Sequence, residues 1–87
     1  MVDETLTEDE INAHFTAMGH SVDLITATIA DDTEAVAMEG AQGAKDMVTR
    51  NTDHLELQLA KDWAIADNRS KTSYTNAITA GKAYVAG

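Results

Sequence analysis

The sequence predicts an all-α protein, a small helical bundle or helical hairpin of three to four helices. Three observations carry this. The 87 residues include no proline, the residue that most firmly stops a helix. Large apolar residues recur three, four and seven apart on both sides of Gly40, the period of a helix with one face turned inward. A complete helix-start signal, Thr7-Glu8-Asp9-Glu10, stands at the head of the first apolar stripe.

Residues 1–6 are polar and acidic and read as a flexible stretch. At Thr7 the chain can close a capping box: the Thr7 hydroxyl accepts from the Glu10 backbone, and the Glu10 carboxylate reaches back to Thr7. Ile11, Phe15 and Met18 then share one face. Gly19 is expected to end this first helix, because a glycine costs about 1 kcal/mol inside one. Ser21 can cap a new start, with Asp23 in its first turn. Val22, Ile25, Ile29 and Val36 follow, giving a long helix over about 21–39, with the apolar stripe interrupted at Asp32-Thr33. Gly40 and Gly43, set among small residues, read as a turn between helices.

The next helix is expected over about 44–66. Its middle, "TRNTDHLELQLAKDW", holds a contradiction: Leu55, Leu57 and Leu59 alternate as in a strand, yet Leu, Glu, Gln, Ala and Lys all favour a helix. A lone five-residue strand has no partner here, so the helix is preferred. On it, Val48, Thr52, Leu55, Leu59, Trp63 and Ala66 form one stripe. Leu57, Ala60 and Ala64 form a second, more than a right angle away. The first stripe suits the protein's own core, and the second suits a neighbouring chain. Asp67-Asn68-Arg69-Ser70 is turn-like. A last short helix from Ser73 carries Tyr74, Ala77, Ile78, Gly81 and Tyr84 or Val85.

A chain of this length is expected to form one domain over residues 1–87 with a limited core. Such domains lean on disulfides, metals or oligomerisation. There is no cysteine, which leaves oligomerisation or docking on a larger assembly as the favoured support. The opening MVDETLTEDE lacks the basic and apolar regions of a signal peptide. No apolar run approaches the roughly 20 residues that span a bilayer, and no membrane role is expected.

The net charge of −9 is unevenly placed. Residues 1–43 hold ten acids and no lysine or arginine, whereas residues 44–87 hold five acids and all six basic residues. The first half is acidic and the second nearly neutral, so the two are suited to different surroundings.

No residue set points to catalysis. His14, His20 and His54 form no i, i+4 pair of the zinc-binding kind. Asp31-Asp32-Thr33-Glu34 lacks the glycine and alternating ligands of a calcium loop and reads as a solvated turn. Gly40 and Gly43 have no adjoining phosphate-loop lysine. Arg69, Lys71 and Lys82, scattered in an acidic chain, make a poor footprint for nucleic acid, and Trp63 is better placed for packing. The chain is therefore expected to be non-enzymatic, with no cofactor, no metal and no direct nucleic-acid binding.

The stretch from Met47 to Ala86, "MVTRNTDHLELQLAKDWAIADNRSKTSYTNAITAGKAYVA", resembles short proteins that tailed bacteriophages encode among their structural genes. The similar features are the "TRNTDHLELQLAKDW" helix, a brief polar gap and an "AITAGKAYVA" ending, a little under half of the chain. The resemblance implies a virion-associated subunit present in repeated copies: a capsid-associated, cement or connector-type component, assembled in the host cytoplasm. Its partners would be further copies of itself or other virion structural proteins. Leu55, Leu57, Leu59, Trp63 and Ala64 are the expected contact residues, since large apolar groups concentrate binding energy. The alternative is an acidic inhibitor that imitates nucleic acid and presents the acids of residues 1–43 to a DNA-binding enzyme.

Overall fold

A computed structural model describes residues 6–87 of the chain. The flexible stretch expected at residues 1–6 lies outside the described residues, except for Leu6, which is half-buried. Four helices follow one another: α1 (Glu8–Ala30), α2 (Thr33–Leu59), α3 (Asp62–Ala66) and α4 (Thr72–Ala86). The described residues contain no strand, so the fold is all-α and the leucine-rich stretch is helical.

The capping box forms as the sequence dictates. The Glu10 backbone N–H donates to Thr7 Oγ1 at 3.1 Å, and the Thr7 N–H donates to Glu10 Oε1 at 2.9 Å. The helix it opens does not stop at Gly19. It runs unbroken to Ala30, because Phe15, Met18 and Ile25 share one face and are all buried. Burying each such side chain is worth about 1.5–3 kcal/mol, more than the glycine costs.

The expected helix over 21–39 is instead divided at Asp31-Asp32. Asp31 is extended, and its carboxylate accepts the Thr33 backbone N–H at 3.0 Å. This local bond competes with the helical ladder, the usual reason that aspartate ends helices. The Thr33 hydrogen bonds, from side chain and backbone, hold the Asp31 carboxyl below its ordinary value.

Helix α2 breaks direction at Gly40, where φ is 81° and ψ is 167°. This combination is open essentially only to glycine. The expected turn is therefore real at the first glycine, and it sets residues 33–39 apart as a short arm. Gly43 lies within the helix, and a Cβ there would meet Glu39 Cβ at 2.6 Å.

Beyond the arm, α1, α2 and α4 pack against one another in pairs. The core comprises Phe15, Met18 and Ile25 from α1, Ala44, Val48 and Leu55 from α2, Ala64 from α3 and Ala77 from α4. Its three buried polar side chains, Ser21, Thr28 and Thr52, lie on the inward faces of α1 and α2. Every buried side-chain N and O atom among the described residues has a hydrogen-bond partner. Tyr84 ties α4 to the α1–α2 corner: its hydroxyl donates to Asp32 Oδ2 at 2.8 Å. That bond to Asp32, aided by burial, raises the phenol above its ordinary value of 10.0.

Candidate interaction surface

The five residues singled out as contacts fall on α2 and α3, and the structure sorts them by side. Leu55 is fully buried. Leu59 and Trp63 are half-buried against the core. Leu57 points outward and is 58% exposed. The first stripe is therefore internal from Val48 to Trp63, whereas Ala66, expected to end it, is exposed; Leu57 lies off the stripe, as a helical period requires.

Ala64 corrects the expectation. It is fully buried within the chain, so its side chain is already covered and is not offered at the surface. The cause is an unforeseen end to α2. After Leu59 the chain turns at Ala60 and Lys61: the Lys61 N–H donates to the Gln58 carbonyl at 3.1 Å, and Lys61 itself is extended. The turn resets the phase, so Leu57, Ala60 and Ala64 do not make one stripe. Ile65 of α3 comes out instead, 67% exposed. Neither Ala60 nor Lys61 is a helix breaker. The break follows from tertiary packing, which delivers Trp63 and Ala64 to the end of the bundle.

There Trp63 stacks on His14 with ring centroids 4.7 Å apart and meets Phe15 edge-on at 5.6 Å. Tyr74 of α4 closes on Phe15 from another direction at 5.6 Å. Arg69 caps this cluster, its guanidinium carbon 4.2 Å from the Phe15 ring centroid. Arg69 Nε donates to Asp67 Oδ1 at 2.7 Å, and its Nη2 donates to Asn12 Oδ1 at 2.7 Å. The hydrogen bonds from the Arg69 side chain and then its backbone N–H hold the Asp67 carboxyl below its ordinary range. Lys71 Nζ donates to the Asp67 carbonyl. The turn-like stretch 67–70 is thus pinned, and α3 is fixed relative to α1.

The other candidates take structural places. His54 is half-buried, with Nδ1 2.8 Å from Ser21 Oγ; His14 and His20 are exposed. Of the acids from Glu8 to Glu39, all are exposed except Asp32, which is half-buried. Lys82 and Glu56 form an exposed ion pair at 2.7 Å, a kind that contributes little. No helix among the described residues is long and apolar enough to cross a membrane.

Comparison with known proteins returns nothing to set beside this arrangement. The chain matches no protein-family model, no curated protein and no solved structure.

What the surface offers is apolar contact on a rigid support. Leu57 follows a fully buried leucine by two residues on the same helix, and Ile65 adjoins fully buried Ala64. Sequence reasoning found Leu57 from the helical period. It missed Ile65, whose outward direction depends on the turn at Ala60-Lys61.

Proposed function

We propose that this protein is a non-enzymatic structural subunit of a phage particle, working through helix-mediated assembly contacts with its own copies or with other virion proteins. The observation that carries the reading is the exposure of Leu57 and Ile65 on the α2–α3 stretch, the stretch that also resembles phage structural proteins. Burying a leucine or isoleucine of this kind at a contact yields about 1.5–3 kcal/mol each. A subunit repeated many times multiplies so small a gain. Mass spectrometry of purified particles tests the proposal: stoichiometric recovery supports it, and absence from the particle overturns it. Leu57→Glu should reduce incorporation, because it puts an unpaired charge into the contact.

A second reading, the acidic inhibitor that imitates nucleic acid, draws on the exposed carboxylates of α1 and the arm. It calls for salt-sensitive binding to a basic DNA-binding enzyme. Neutralising Asp31, Asp32 and Glu34 to Asn, Asn and Gln separates these two readings when binding to a DNA-binding enzyme is compared with incorporation into particles, since of the pair the inhibitor alone places its affinity on these acids.

A further inference from the structure

The arm of α2 before Gly40 creates a feature that the assembly contact does not use. Gly40 leaves the helical region, and the seven residues before it lie across the end of α1. A groove opens between them. Its apolar wall is made by Ala27 of α1, Ala35 and Met38 of the arm, and Met47 from beyond the bend. Met38 is 76% exposed, the most open of the large apolar side chains among the described residues. Its rim carries Asp31, Glu34 and Glu39.

We propose that this groove is a docking site for a basic amphipathic helix of another protein, with an apolar side chain seated on Met38 and Met47 and lysines or arginines against the rim. Methionine is unbranched and polarisable and adapts to varied apolar partners, which suits a receiving surface. The rim fixes the sign of the partner. Between Leu6 and Gly43 the chain has no lysine or arginine, so nothing in that span offsets Asp31, Glu34 and Glu39. Apolar contact flanked by opposite charge is how an acidic groove selects a basic amphipathic helix.

The C-terminal helix α4 of a second copy does not fit as the occupant. It turns Tyr74, Ile78 and Val85 to its own core. The residues α4 exposes are small or polar apart from Lys82, so it has no apolar anchor to offer. The groove also differs from a nucleic-acid-like surface, because its grip depends on the methionines as well as on charge.

The test uses the full-length protein with isotope-labelled methionine methyl groups and a 14-residue leucine–lysine amphipathic peptide. The Met38 and Met47 signals should shift saturably, while the signal of Met18, fully buried in the core, stays in place. Met38→Gln should fold normally, because the side chain is open to solvent, and should weaken peptide binding by about tenfold, a loss of about 1.4 kcal/mol. Glu34→Gln with Glu39→Gln should weaken binding and flatten its salt dependence. Leu57→Glu should leave peptide binding unchanged, so failure here is separable from failure of the assembly contact. The proposal is overturned if the two methyl signals do not move, if a leucine–glutamate peptide moves them equally, if Met38→Gln binds like wild type, or if the signals move with protein concentration alone, which would make the occupant a second copy.

Discussion

Gly81 of α4 and Thr52 of α2 approach so closely that a Cβ on Gly81 would lie 2.4 Å from Thr52 Cγ2. The same atom would lie 3.2 Å from Val48 Cγ1 and 3.4 Å from Ile25 Cγ2. The position is the point where all three long helices meet. Thr52 cannot easily yield, being buried and bonded through Oγ1 to the Thr49 carbonyl at 2.9 Å. Gly81→Ala should therefore destabilise the protein by about 1–3 kcal/mol despite alanine's better helix propensity. Thr52→Ser removes the opposing methyl and keeps the hydroxyl. Denaturant unfolding of the two single variants and the double should show favourable coupling of about 1 kcal/mol or more; purely additive effects would place the strain elsewhere.

Two other glycines should respond in opposite directions. At Gly19 the backbone is helical and an added Cβ meets nothing within 4 Å. Gly19→Ala should raise the thermal midpoint, reflecting a gain of about 0.5–1 kcal/mol. At Gly40 the positive φ is closed to alanine, and Gly40→Ala should cost about 1–3 kcal/mol or straighten α2. The methyl signals of Met38 would report the second outcome.

Leu55 and Leu57 differ by two positions and should differ widely in consequence. Leu55→Ala empties a fully buried site and should cost about 2–5 kcal/mol. Leu57→Glu, on the open face, should stay within about 0.5 kcal/mol of wild type while impairing association. Thermal melts in one buffer, at a concentration where the wild type is dispersed, make the comparison. Equal losses would return Leu57 to the core.

Acid should weaken the fold through identifiable carboxylates. Hydrogen bonds hold Glu10, Asp31 and Asp67 below their ordinary values of 4.5, 3.8 and 3.8. A depressed folded value means that the unfolded chain binds protons first as pH falls. The stabilisation is thus present above about pH 4.5 and is lost as pH drops through the lowered folded values. Glu10→Gln retains an acceptor for the Thr7 N–H but no longer titrates, so the midpoint should fall less steeply with acid. An unchanged slope would remove Glu10 from the set.

What the sequence makes legible here is local or periodic. Thr7 and Glu10 are three residues apart and need nothing else to find each other. The opposite fates of Leu55 and Leu57 follow from the helical turn alone. One misplacement is local too, since the break at Asp31 rests on its bond to the Thr33 N–H; the others arise where distant residues decide. Gly19 stays helical because Phe15, Met18 and Ile25 are covered by α2 and α4. Ala64 turns inward because Trp63 finds His14 and Phe15, some fifty residues upstream by the numbering. The methionine groove needs both the Gly40 bend and the end of α1 beside it, and neither spacing nor composition conveys that juxtaposition.

The seating of Gly81 against Ile25, Val48 and Thr52 also sets an order of events during synthesis. The first and second long helices leave the ribosome before α4 exists. Until residues 72–86 follow, the side chains that surround Gly81 have only each other for cover. A nascent chain halted before Thr72 can hold its helices but has an unsealed apolar flank, the kind of surface that chaperones engage and that aggregates when crowded. The last fifteen residues of helix thus turn a pair of helices into a closed core.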